Sequence, residues 1–250
     1  DGEVTGDYDF KTIPALVRRV GGVVFPALFP PQPIAVASRG GSGRKAPSAP
    51  PAHINDFTYR FTVKQTENPA NFFRLPVSVI YPMEITGAVS EPTGDIALNI
   101  DAPYLRQGNK LVENTRLGFF AGEGERRATL DLTTAVPTKN GLMTLMLQAE
   151  GEDDRLDSSV AWKIDRERAY EGSVGATTTF SRVDDGEGAD ATSRLLTITD
   201  LHRSQLTFND SVWTVDPARI SVMGKQVAVD GLSVWRKGQF VKISGDIGPD

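Results

Sequence analysis

From about residue 53 to the end, the chain alternates apolar and polar side chains with a period of two. That pattern limits it to strands with one greasy and one wet face. In "FTYRFTV", Phe57, Tyr59, Phe61 and Val63 share one side, while Thr58, Arg60 and Thr62 take the other. "DIALNID" sets Ile96, Leu98 and Ile100 against Ala97 and Asn99. "GLMTLMLQAE" sets Met143, Leu145, Leu147 and Ala149 against Leu142, Thr144, Met146 and Gln148, so it is apolar on much of both sides. "SSVAWKID" contributes Val160, Trp162 and Ile164; "GSVGATTTF" contributes Val174, Ala176, Thr178 and Phe180. About a dozen such runs, spaced by turn signals, predict an all-β meander in sequence order. Short glycine-bearing turns are expected at Met223-Gly224-Lys225-Gln226 and Arg236-Lys237-Gly238-Gln239, and longer acidic loops at "EGEDDRLD" (150–157) and "DDGEGAD" (184–190).

Two stretches break the alternation. "DFKTIPALVRRV", residues 9–20, places Phe10, Ile13, Leu16, Val17 and Val20 on one helical stripe with Arg18 and Arg19 opposite. Pro14 falls in the first turn, where a helix tolerates it. A short amphipathic helix packed on β-structure is expected there. "PPQPIAVASRGGSGRKAPSAPPA", residues 30–52, is too poor in large apolar groups to offset its ordering entropy and reads as a mobile loop. The chain thus divides into an N-terminal helical segment (1–30), a Pro/Gly/Ser-rich loop (31–52) and repeated strands (53–250).

Composition narrows the chemistry. A net charge of −5 gives no basic field for nucleic acid, and the absence of cysteine removes thiolate metal sites and thiol nucleophiles. The two histidines, His53 and His202, lack a nucleophile-elbow pattern and read as surface or strand-end residues. "DDGEGAD" does not have EF-hand spacing, and "GGSGRKA" lacks the ending of a phosphate loop. Carboxylate pairs such as Asp153 and Asp154 are ordinary in acidic turns. Trp162, Trp213 and Trp235 lie within alternating strands, where core packing is the default. The expectation is a protein that is not an enzyme and needs no cofactor or metal. No signal peptide opens the sequence, its longest apolar stretch (20–29) is too short to span a bilayer, and both ends read as cut from something longer.

Residues 206–247, "LTFNDSVWTVDPARISVMGKQVAVDGLSVWRKGQFVKISGDI", carry a more specific pattern. A strand ending in Val212-Trp213, then "ARISV", a Gly-Lys turn, "VAVDGLSVWRKGQF" and "VKISGDI" resemble the periplasmic TamB proteins of the AsmA-like superfamily, particularly those of Bacteroidetes. "GDYDFKTIP", "YPMEITGAVS" and "GDIALNIDAP" fit more loosely. The resemblance implies an elongated, strongly curved antiparallel sheet, a β-taco, whose concave face shields phospholipid acyl chains between inner and outer membranes. It also implies a periplasmic location with an inner-membrane anchor outside these residues, and an outer-membrane β-barrel partner that docks elsewhere. The groove-lining positions expected on this basis are Phe57, Tyr59, Phe61, Ile96, Leu98, Ile100, Leu145, Leu147, Val227, Val229, Leu232 and Val234. Physics is consistent with such a role: two acyl chains in water cost on the order of 20 kcal/mol at about 0.8 kcal/mol per methylene. The alternative is a closed β-sandwich binding module, an adhesin or carbohydrate-binding domain, in which the same alternation fills a protein core.

Overall fold

The computed structural model describes residues 1–30, 54–64, 78–185 and 192–248. His53, the 30–52 loop beyond Pro30, and the glycine-bearing part of "DDGEGAD" lie outside these residues. Among these residues the chain forms one sixteen-stranded antiparallel sheet and one helix. The strands are β1 (Gly2–Asp7), β2 (Asp56–Val63), β3 (Ser78–Val79), β4 (Met83–Ser90), β5 (Asp95–Gln107), β6 (Lys110–Gly122), β7 (Arg127–Thr138) and β8 (Gly141–Glu152). They continue with β9 (Arg155–Ile164), β10 (Tyr170–Asp185), β11 (Thr192–Leu201), β12 (Ser204–Phe208), β13 (Ser211–Val215), β14 (Ala218–Met223), β15 (Gln226–Arg236) and β16 (Gln239–Ile247). The helix, α1, is Ile13–Val24.

The meander holds throughout. Where the sheet branches, the chain has only broken one line of strand into two. The two ends of β10 pair with β11 and β12, β11 pairs with β14, and β12 pairs with β13. Both β13 and β14 then pair with β15, which leads to β16. The breaks fall at His202-Arg203 and at Asp216-Pro217, where proline cannot donate to the ladder.

Tight turns set this register. Lys237 (φ 38°) and Gly238 (φ 84°) join Arg236 to Gln239, and Asn209 (φ 51°) with Asp210 (φ 62°) joins Phe208 to Ser211. Two successive left-handed residues match the twist of a hairpin. The segment 150–157 obeys the same rule and corrects the expectation of a long loop. Only Asp153 (φ 45°) and Asp154 (φ 60°) turn, and the β8–β9 ladder is intact up to Glu152 and Arg155. Its acids are tolerated because Arg126 pairs with Asp153 at 2.5 Å, Arg127 with Glu150 at 3.2 Å and Arg155 with Asp157 at 2.9 Å.

The helix begins four residues later than the sequence pattern predicts and runs four further. Its inner stripe is Leu16, Val20 and Val24, all buried, with Ile13 packed beside them. Phe10 precedes the helix and is exposed, and Val17 also faces out, so both leave the predicted stripe. Spacings of three and four residues from Ile13 onward are what bring one face down onto the sheet. β1 pairs with β2 and is a strand that the alternation argument did not anticipate. Its sequence GEVTGD has a single apolar residue, Val4, which packs against the cluster beneath the helix, and the ladder to β2 holds the rest.

Candidate functional site: an apolar sheet face

Directly paired residues in an antiparallel ladder point to the same side. Following the register from β2 to β10 gives one uninterrupted apolar row: Phe61, Ile85, Ile100, Leu117, Leu132, Leu147, Val160 and Val174. At about 4.8 Å per strand the row runs roughly 34 Å. The adjacent row, one residue along each strand, faces the other way. It reads Arg60, Thr86, Asn99, Gly118, Asp131, Gln148, Ser159 and Gly175, without one large apolar group.

All twelve expected groove residues lie on the apolar side. Leu145 opposes Trp162, which opposes Gly172 and then Leu206 and Trp213. Val234 joins the same side through Val215 and Ser204. Val227 and Val229 join it through Val222 and Ile220. Leu232 stays on this side because the ladder to β16 takes up one extra residue between Val229 and Leu232, a β-bulge. Sequence reasoning missed several positions that share the face: Val89, Phe119, Ala121, Leu130 and Leu206. The signal was present in "LGFFAG" and "RATLDL", which alternate as clearly as the runs that were read.

The face is not uniform. At one end α1 lies across it, and Leu16, Val20, Phe57, Val89 and Ala121 form a buried cluster, with Tyr59, Ile96, Phe119 and Ala128 packed around it. Phe57 is therefore sealed by the chain itself and cannot line an open groove, a correction to its expected role. Tyr59 and Ile96 form the border of the seal. Beyond it, Leu98, Ile100, Leu145, Leu147, Val227, Val229, Leu232 and Val234 are only half-buried, and Phe61 is exposed. No second buried cluster occurs among the described residues.

The helical cover is held by polar contacts as well as by packing. The fully buried Asn55 accepts a hydrogen bond from the Asp9 amide (2.8 Å) through Oδ1. Its Nδ2 donates to Thr12 Oγ1 (2.8 Å) and to Glu91 Oε2 (3.1 Å). The Asn55 amide also donates to Glu91 Oε2 at 2.9 Å. These bonds, the backbone one first, hold the Glu91 carboxyl below the usual range, with a smaller contribution from Arg19. Arg19 bridges from the helix to Glu91 (3.7 Å) and Glu123 (2.6 Å). After the helix the chain continues across the face. Phe25 stacks edge-on against Phe180 at 5.7 Å, Ala27 N donates to Asp154 Oδ1 (2.8 Å), and Arg182 Nε donates to Ala27 O (2.9 Å). Gly151 opposes Leu156 beneath this segment, and a Cβ there would collide with the Phe25 ring.

The polar face offers one cluster to test for catalysis, around His202. Thr177 Oγ1 donates to Asp157 at 2.5 Å and lies 3.0 Å from His202 Nε2. Arg155, and then Thr177, hold the Asp157 carboxyl below its ordinary range. The Thr177 proton is thus committed to a weak base, and the imidazole can only donate to that oxygen. This is the reverse of the wiring that activates a hydroxyl nucleophile. Neighbouring Asp200 is likewise lowered by Arg219, whose guanidinium sits 2.7 Å away. These are cross-strand surface pairs, worth little individually. No cluster of metal-ligating residues occurs among the described residues, and no helix among them is long and apolar enough to cross a membrane. Trp235, expected in a core, instead sits on the polar side opposite Phe240, and both are exposed.

Comparison with protein-family models, characterised proteins and solved structures returns no match to this chain.

Proposed function

We propose that this sheet shields acyl chains of phospholipids along its apolar face, as a segment of a TamB-like, periplasm-spanning lipid conduit. The observation that carries the reading is the row from Phe61 to Val174. It is aliphatic or aromatic at every strand and half-buried rather than sealed over most of its length. A row of roughly 34 Å exceeds the depth of one leaflet's hydrocarbon, about 15 Å, so a lipid tail can lie on it while its head group stays in water. The polar row on the reverse side keeps that surface wet. No chemistry is required of the protein, in keeping with the Thr177–His202 wiring. The periplasmic setting and a β-barrel partner beyond these residues come from the resemblance in residues 206–247.

The sandwich reading needs a second layer over the same face. Its signature would be a second buried cluster across β5–β10, which is absent among the described residues. The test is uptake of a fluorescent phospholipid from vesicles by the purified chain. The reading expects saturable uptake that is lost when Leu132 and Leu147 are both replaced by Asp. No uptake by the wild-type chain would contradict it.

A further inference from the structure

We propose that Arg166, laid over the Tyr170 ring at one end of the apolar face, holds the phosphate of a phospholipid whose acyl chains run along β7–β10 toward the helical cover. The placement rests on the acyl-shielding function proposed above and adds to it the position of the head group. Tyr170 opposes Ile164 and Phe208 in the last apolar row before the β9–β10 and β12–β13 turns. The Arg166 Cζ lies 5.4 Å from the centre of the Tyr170 ring, which itself packs against Phe208 at 5.0 Å. Arg166 Nε donates to the Arg168 carbonyl at 3.0 Å, and Nη2 donates to Asn209 Oδ1. Every one of these partners is uncharged. Asp165 and Glu167 flank Arg166 in sequence, but neither forms an ion pair with it among the described residues. A half-buried guanidinium is thus fixed in place with its charge uncompensated and Nη1 left to donate. A planar, pre-positioned fork of donors suits phosphate oxygens.

The two ends of these strands differ in how their cations are partnered. At the end beneath the helical cover, Arg126, Arg127 and Arg155 are tied to Asp153, Glu150 and Asp157, and Arg182 donates to the Ala27 and Ser193 carbonyls. Phe25 closes the apolar face there, against Phe180 and over Gly151. At the Arg166 end, Lys139 in the β7–β8 turn and Arg168 are exposed, and neither is in an ion pair among the described residues. That turn adjoins the Arg166 loop: a Cβ on Gly141 would lie 3.4 Å from the Asp165 carbonyl. An anion is therefore favoured beside Arg166, Arg168 and Lys139 and disfavoured beside the acidic 150–157 turn. The lengths agree. Phe180 lies ten residues beyond Tyr170 on β10, roughly 33 Å at about 3.3 Å per residue. One phospholipid with its head group spans about 20–22 Å, half a bilayer, so a whole molecule fits between the arginine and Phe25.

Orientation is read first on the unaltered chain, by NMR after uptake of phosphatidylglycerol carrying a nitroxide spin label. A label on the head group is expected to broaden the amide signals of Lys139 and Arg166, and a label at the acyl terminus those of Gly151 and Phe180. The reverse pattern, or equal broadening at both ends, would overturn the proposal. Affinity is then measured by calorimetry for dihexanoyl phosphatidylglycerol and for dihexanoylglycerol, which has the same chains and no phosphate. Arg166→Gln is expected to weaken binding of the phospholipid on the order of tenfold and to leave the neutral lipid unchanged. Arg155→Gln, which removes a cation at the other end, is expected to change neither. Equal loss for both lipids would make Arg166 a structural residue only, and no loss for either would put the phosphate elsewhere. Each of those outcomes overturns the head-group site while acyl shielding stands. A wild-type chain that binds neither lipid would overturn both. Inorganic phosphate binding as tightly as the phospholipid, with the same loss in Arg166→Gln, would mark a free-anion site and contradict the lipid assignment.

Discussion

The stretch of apolar face under α1 and the stretch crossing β5–β10 away from it are written in the same alternating code, yet they are physically different. Under the helix, Phe57, Val89 and Ala121 meet Leu16 and Val20 and are buried. On the same face, Ile100, Leu117, Leu132 and Leu147 pair with one another along the ladder outside that cluster and remain half-buried. Alternation specifies a face, and it takes a second element to turn that face into a core. The difference predicts that substitutions at the covered end are read out mainly as stability, and those on the open row mainly as binding.

The largest expected effect breaks the covered end. Val20→Asp leaves an unpaired carboxylate in the cluster and is expected to cost about 3–5 kcal/mol, or to undock the helix altogether; chemical denaturation measures it. Asn55→Ala orphans the Asp9 amide and removes one of the two hydrogen bonds to Glu91 Oε2, and is expected to cost about 1–3 kcal/mol by the same measurement. On the open row, Leu132→Asp is expected to cost only about 1 kcal/mol, because the position already borders water. That variant should nonetheless depress phospholipid uptake severalfold, which Val20→Asp protein that remains folded should not. Equal stability losses at positions 20 and 132 would erase the distinction.

A smaller effect comes from pH. The folded-state Glu91 carboxyl lies below its unfolded value of about 4.3, so its contribution is full above that value. It is lost as pH falls through the folded pKa. The protection factors of the α1 amides (the intrinsic exchange rate at each pH divided by the observed rate) should therefore fall on acidification, and Glu91→Gln should remove much of that dependence. The smallest expected effect is in a turn remote from both regions. Lys237→Gly relieves a left-handed side chain (φ 38°) and should stabilise by about 0.5–1 kcal/mol, visible as a small rise in Tm with uptake unchanged.

Much of this architecture was legible in the sequence because period two is a direct consequence of strand geometry. The side on which the groove positions fall follows from it up to Val229; strict alternation would send Leu232 and Val234 to the other side, and only the bulge at β15 returns them. The helix was legible in kind, but its limits and inner face were not. Phe10 and Val17 are as apolar as Leu16, and only the positions of Val4, Phe57 and Ala121 on the sheet decide which of them is covered. β1 was hidden because an edge strand paired on one side needs little apolar content. The acidic turn at Asp153-Asp154 was misread because charge suggests a loop, whereas the arginines that neutralise it come from Arg126 on the neighbouring turn and from strands β7 and β9. The sealing of Phe57 was out of reach for the same reason as the helix face: cover is a property of tertiary contact.

Accessibility of the open row to hydrocarbon is measured most directly by single-cysteine labelling, which the cysteine-free chain permits without background. An environment-sensitive fluorophore at Leu132→Cys, Asp131→Cys or Val20→Cys would be challenged with phospholipids brominated along their acyl chains. The account predicts strong quenching at position 132 and little at 131 on the reverse face or at 20 beneath the helix. Equal quenching at 131 and 132, or none at 132, would contradict it.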